Sequence, residues 1–258
     1  MYHNLIKWNI IYVFKMRILI IIFVFCSYYS SLNANEIFNL IKIPNLEVFN
    51  LDSENKIKYL SLKKSFTIGT TKNITCDKAN KNNLKKKYEI IKKNLDIYNY
   101  QFLKKNNVRF VVLCENLSIS GIGTAGIPDI QKRTLILNIN FNPKYFERVI
   151  HHEVFHMIYD SHPILFDDNL WKKFNDKSFQ YAGCSICSDS IGLDEYKETD
   201  GFINEYSKTI PSEDMAEIYS FIIKKENILT KLSEKDEKLK KKINFIKNSI
   251  NKIDSQIF

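Results

Sequence analysis

Apolar residues change their spacing several times along the chain, and each change marks an element. From Asn82 to Lys105, Leu84, Tyr88, Ile91, Leu95, Tyr98 and Phe102 recur at three- and four-residue steps among lysines, which predicts one amphipathic helix. Val108 to Cys114 is β-branched and aromatic, the composition of a buried strand, and a loop bearing Gly121, Gly123 and Gly126 follows it. In Thr134 to Phe141, Leu135, Leu137, Ile139 and Phe141 alternate with Thr134, Asn138 and Asn140. That pattern predicts a second strand with one buried and one mostly wet face, suited to a sheet edge. Asn142 and Pro143 then supply an N-cap and a first helical residue for a helix running to about Tyr159. Pro211-Ser212 opens a further helix carrying Ile218, Phe221 and Ile222, and the lysine-rich stretch from Ser233 to Ile257 reads as a solvated, amphipathic closing helix. A mixed sheet followed by helices makes the fold class α+β.

The N-terminal pattern differs. An unbroken apolar run from Ile18 to Phe25 follows Lys15 and Arg17 and precedes the polar, small-residue segment Ser27 to Ala34, the order of a secretory signal peptide. The run is shorter than the roughly 20 residues of a membrane span. We therefore expect residues 1–34 to be removed near Ala34, with no stable membrane anchor afterwards, Met16 being an alternative start. Residues 35–258 are then one domain, with a core at about 80–225 and a C-terminal helix at about 233–257. Phe25 stands where lipidation of Cys26 requires a small residue, which argues against a lipoprotein. The expected location is secreted or periplasmic.

Composition adds little to this picture. Of 258 residues, 45% are hydrophobic and 26% charged, with seven glycines and five prolines, which excludes a disordered or collagen-like chain. The net charge of +9 comes from lysines spread throughout and accompanied by 29 acidic residues, so nucleic acid is not an expected partner. Removing the leader leaves Cys76, Cys114, Cys184 and Cys187, an even number in an oxidising compartment. Four cysteines allow three pairings. The expected one joins Cys184 to Cys187 and Cys76 to Cys114, because the first two are already adjacent; a redox pair or half a zinc site is the other reading of Cys184-Ser185-Ile186-Cys187.

The chemistry lies in His152-Glu153-Val154-Phe155-His156. Four residues advance a helix by about one turn and 6 Å, so both imidazoles leave the same face and can converge on one zinc ion. Glu153 projects about 100° round the helix and flanks the site, where a carboxylate can take a proton from water whose pKa zinc lowers toward about 7. Zinc in a catalytic site wants a third protein ligand. Glu213 and Glu217 share one face of the helix opened by Pro211, and Ala216 between them is small enough for close approach to the histidine helix. One carboxylate can bind metal while the other orients a ligand imidazole.

His152-Glu153-x-x-His156, Tyr206 and Glu213-x-x-Ala216-Glu217 together resemble the gluzincin metallopeptidases, especially the branch containing anthrax lethal factor, in which a tyrosine precedes the liganding glutamate by seven residues. The stretches Trp171 to Tyr181 and Gly201 to Tyr206 resemble bacterial zinc-binding metallopeptidases, and the similarity covers roughly residues 80–225. The resemblance implies a zincin-like domain with a small mixed sheet packed on the histidine helix. It also implies zinc on His152, His156 and Glu213, Glu153 as base, and Tyr206 as oxyanion stabiliser or acid. Glu217 is then the outer partner of an imidazole, and that of His152 is expected. The gap from His156 to Glu213 is longer than in thermolysin-type enzymes, so substrate preference does not transfer.

His151 is expected to point to solvent or a backbone partner, His162 to lie in a loop, and Trp171, Phe174, Phe179 and Tyr181 to sit in the core. The expected function is hydrolysis of a peptide or protein laid antiparallel along Leu135 to Phe141. The alternatives are a catalytically silent binding protein of the same fold, against which the intact Glu153 argues, and a zinc amidase acting on cell-wall peptides. Oligomeric state is not legible.

Overall fold

The computed structural model describes residues 43–69, 71–187 and 192–257. The expected signal segment, residues 1–34, lies outside the described residues, as does Cys26. Four strands come first: β1 (Leu46–Asn50), β2 (Lys58–Leu62), β3 (Phe66–Ile68) and β4 (Ile74–Asp77). Helices α1 (Lys81–Leu95) and α2 (Tyr100–Lys105) precede β5 (Phe110–Ile119), β6 (Ile122–Gly123), β7 (Gly126–Asp129) and β8 (Thr134–Asn138). Helices α3 (Phe146–Ser161), α4 (Asp168–Lys172), α5 (Pro211–Lys224), α6 (Glu226–Ser233) and α7 (Glu237–Ile253) complete an α+β fold.

Strand β5 is the axis of the sheet. Its first half, Phe110 to Cys114, is buried throughout and pairs in parallel with β2 on one side and β8 on the other. A strand covered on both faces needs an unbroken apolar run, and Phe110-Val111-Val112-Leu113-Cys114 is one. Its second half turns away to pair antiparallel with β4 and β6. The β4–β5 ladder carries a bulge between Thr75 and Asp77, beside Asn116, whose backbone is left-handed at φ 53°. The Cys76–Cys114 disulfide, with Cα atoms 5.9 Å apart, ties β4 to β5, and Cys184–Cys187 is also bridged.

Several expectations are corrected. The single helix over 82–105 is two, because the chain leaves helical form after Leu95 and the Asn99 side chain caps the start of α2 by accepting from Phe102 N–H at 2.8 Å. The apolar spacing survives the break, and Tyr98 and Phe102 are fully buried. The strand at 134–141 stops at Asn138 and is not an edge: β5 flanks it on one side and β7 on the other, and all five of its residues are buried. Its polar residues are satisfied locally, Thr134 donating to Lys132 C=O and Asn138 to Thr124 C=O. Asn142 and Pro143 form a turn ahead of α3 rather than its cap, with Tyr145 N–H donating to Asn142 C=O, and α3 runs on to Ser161. The closing helix expected from Ser233 to Ile257 is α7 alone, shorter at both ends and capped by Asp236, and α6 precedes it.

Helix α3 is buried nearly all round, as a helix between a sheet and another helix must be. Helix α5 packs against it, and the fully buried Ala216 permits the close approach that its size suggested. These two helices bring the candidate chemistry together.

Candidate metal centre

Three donor atoms converge at the α3–α5 interface. His152 Nε2 and His156 Nε2 stand 3.1 Å apart, and Glu213 Oε2 lies 2.9 Å from the first and 3.1 Å from the second. In this set His152 and Glu213 are buried and His156 is partly so. For bonds of about 2.0–2.2 Å, two ligand atoms of a tetrahedral zinc stand about 3.3–3.6 Å apart, so the triangle needs to open by only a few tenths of an ångström. Two imidazole nitrogens and a carboxylate oxygen aimed at one point are the donor set of a zinc site, and these residues fit that metal.

The electrostatics of the metal-free cluster point the same way. Burial opposes a charge on His152, but the Glu213 and Glu217 carboxylates more than offset it and push its pKa up to about 10. Burial would raise the Glu213 carboxyl, yet His156 and His152 hold it well below the ordinary carboxylate range. The site therefore favours positive charge where the three donors meet, which a bound divalent cation would supply.

Glu217, one turn after Glu213, lies behind His152. Its Oε1 is 2.8 Å from His152 Nδ1, and neither atom has another hydrogen-bond partner among the described residues. Its Oε2 accepts from Arg148 and from Asn204, both buried. Arg148 also lies over the Phe221 ring and donates to Ser220 Oγ and the Leu193 carbonyl, so the guanidinium charge is paired and both of its terminal nitrogens donate. Sequence reasoning missed both Glu217 partners. Arg148 carried a signal, as a lone arginine one turn before His152 on an apolar helix; Asn204 lies in the Gly201 to Tyr206 stretch that carries the family resemblance, which does not say what its side chain touches.

Glu153 leaves α3 toward a different neighbour. Its side chain is buried against Gly126 of β7, where an added Cβ would stand 2.7 Å from Glu153 Cγ and 2.9 Å from Cδ. Burial raises its pKa, with Glu213 and Glu217 adding to the rise and the two histidines opposing it. Tyr206 stands in a short 3₁₀ turn, Tyr206–Lys208, with its ring 5.9 Å from that of His152. Burial and then the fields of Glu213, Glu153 and Glu217 raise its hydroxyl pKa, so the phenol is held neutral beside these carboxylates. His152, Glu153 and Tyr206 all line one cleft of about 270 Å³.

Other expected residues lie elsewhere. His151 does not reach solvent or a backbone partner: it is fully buried, with Nδ1 2.7 Å from Tyr98 Oη and Nε2 3.1 Å from Asn94 Oδ1, and burial lowers its pKa to about 3. On a helix buried nearly all round, the position next to His152 faces the interior. His162 is the residue after α3. Trp171 is core, packed on Phe174 and Phe245, and its indole and the Tyr181 hydroxyl both donate to Asp214. Fully buried Lys242 of α7 donates to the same carboxylate at 2.7 Å, fastening the closing helix to the residue beside Glu213. The closing helix is thus amphipathic, as its pattern indicates, but one lysine of its polar set is inside.

Residues 126–253 match a family model described as "Putative zinc-binding metallo-peptidase". No curated protein and no solved structure matches the chain.

Proposed function

As a member of this zinc-binding metallo-peptidase family over residues 126–253, the chain is, we propose, a secreted or periplasmic endopeptidase of zincin type, related to the lethal-factor branch of the gluzincins. The observation that carries the reading is the convergence of His152 Nε2, His156 Nε2 and Glu213 Oε2 on one point, with Glu153 and Tyr206 on the cleft beside it. His152, His156 and Glu213 would hold the zinc, which when bound would supply Lewis-acid polarisation of a scissile carbonyl and a lowered pKa for a water molecule. Glu153 accepts the water proton and delivers it to the leaving amine. Tyr206, kept protonated by burial and its carboxylate neighbours, donates to the oxyanion. Glu217, itself held by Arg148 and Asn204, fixes the ring of His152.

The substrate strand expected along Leu135 to Phe141 has no place there, since β5 and β7 occupy both edges of β8. Strand β7 pairs only with β8 among the described strands. Asn138 N–H donates to Ala125 C=O, and the antiparallel alternation that follows turns the backbone of Gly126 and Pro128 outward. A proline belongs at such an open edge, where its missing N–H breaks no ladder. An extended peptide adds antiparallel to β7, whose first residue touches Glu153.

The two disulfides suit an oxidising compartment, and among the described residues no helix is long and apolar enough to cross a membrane. N-terminal sequencing of the exported protein is expected to begin near Asn35. The activity is tested by incubating purified protein with a diverse peptide pool, with and without a zinc chelator, and reading products by mass spectrometry. Chelator-sensitive internal cleavage is the expected result. Stoichiometric zinc without any cleavage overturns the peptidase reading, and no zinc uptake overturns the metal site.

A further inference from the structure

The cleft beside Glu153 is apolar where it leaves the donor triad. Ile119, Ile122, Phe141, Val149, Ile186 and Leu193 line it, and no lysine or arginine among the described residues does. Three of these, Ile119 at 38%, Ile122 at 42% and Ile186 at 57% exposure, are large apolar side chains left open to water around it. Single exposed apolar residues are ordinary, but three around one cleft make a surface that gains by being covered.

The Ile186 part of that wall is a small closed ring. Cys184 and Cys187 are bridged with Cα atoms 5.1 Å apart, and Cys187 N–H donates to Cys184 C=O at 3.1 Å. The chain entering the ring is tied to the segment just after Tyr206, Ala182 N–H donating to Lys208 C=O at 3.2 Å and Gly183 N–H to Thr209 C=O at 3.1 Å. No residue from Ala182 to Cys187 is buried, so the bridge and these backbone bonds hold the ring's shape.

Chain direction identifies the substrate residue that meets this wall. A peptide antiparallel to β7 runs from Asp129 toward Gly126. Residues after the bond at Glu153 then pass Ala125, Thr124 and Gly123, all of which line the cleft. We infer that the Cys184–Cys187 ring is a specificity element of the proposed reaction: it presents Ile186 to the side chain directly after the scissile bond, selects an apolar residue there, and depends on its bridge to do so. The inference rests on the peptidase reading.

The test compares the wild-type chain, Ile186→Asp and the double variant Cys184→Ser/Cys187→Ser on one peptide library, with zinc content measured on each. Zinc-loaded Glu153→Gln, with and without Ile186→Asp, is titrated with paired peptides carrying leucine or aspartate after the cleaved bond, so that binding is read apart from turnover. Wild type is expected to favour aliphatic and aromatic residues at that position. Ile186→Asp should cut this preference about 10-fold or more, the scale on which a hydrophobic pocket discriminates, with zinc content unchanged. The serine double variant should lose it in part, and the binding ratio should fall in parallel. Cleavage with an unchanged preference in both variants overturns the ring's role while leaving the peptidase reading intact. A zinc-loaded wild type that cleaves nothing overturns that reading and this inference with it.

Discussion

Gly126 and Glu153 lie so close that the glycine has no room for a side chain: a Cβ would stand 2.7 Å from Glu153 Cγ, 2.9 Å from its Cδ and 3.0 Å from the Ile136 carbonyl. The backbone carbonyl cannot give way, so an alanine must displace the carboxylate. Gly126→Ala is therefore expected to lower kcat by about 10²-fold, the scale on which a misplaced group costs rate, while zinc stays bound. Overpacking here costs about 1–3 kcal/mol, which leaves the protein folded. Turnover and metal content measured on one preparation check it; wild-type turnover would mean that Glu153 finds its position without the glycine.

Glu153→Gln preserves shape but cannot accept a proton, so it should retain zinc and lose hydrolysis. Tyr206→Phe removes one oxyanion donor and should reduce kcat by roughly 10²-fold with metal content unchanged. An undiminished rate in either variant would assign that residue to packing.

Glu213→Ala and Glu217→Ala separate metal binding from support of the imidazole. Glu213 Oε2 faces both histidine Nε2 atoms, whereas Glu217 Oε1 faces His152 Nδ1. Loss of the outer partner typically weakens metal affinity by about 10–100-fold, and loss of a ligand should weaken it further. Zinc dissociation constants by competition with a chromophoric chelator rank the two. Greater damage from Glu217→Ala would reverse the assignment.

Lys242→Met tests how α7 is fastened. Lys242 and Asp214 are both fully buried and 2.7 Å apart, and the ammonium also donates to Gly201 C=O. Removing one member of a buried pair costs about 3–5 kcal/mol, because the other charge is left behind. Denaturant melts should show a loss of that size. A change below about 1 kcal/mol would mean that the Trp171 and Tyr181 donors suffice for Asp214.

What the sequence determined by itself lies within single elements. Two histidines four apart on a helix must share a face, and a glutamate after the first must flank them, whatever the rest of the chain does, since helix geometry sets those distances. The helical spacing of Glu213 and Glu217 is equally local, and Ala216 already signalled close approach. Alternation along Thr134 to Phe141, in contrast, reports only which face is apolar. It is silent on how many strands flank β8, and so on whether a substrate can pair there. The break after Leu95 escaped notice because the apolar spacing continues across it. The Arg148–Glu217–Asn204 cluster, the seat of Glu153 on Gly126 and the lining of one cleft by Ile119, Ile122 and Ile186 join residues far apart in the chain. Such contacts exist only once β7, α3 and α5 have packed, and no periodicity within one segment encodes them.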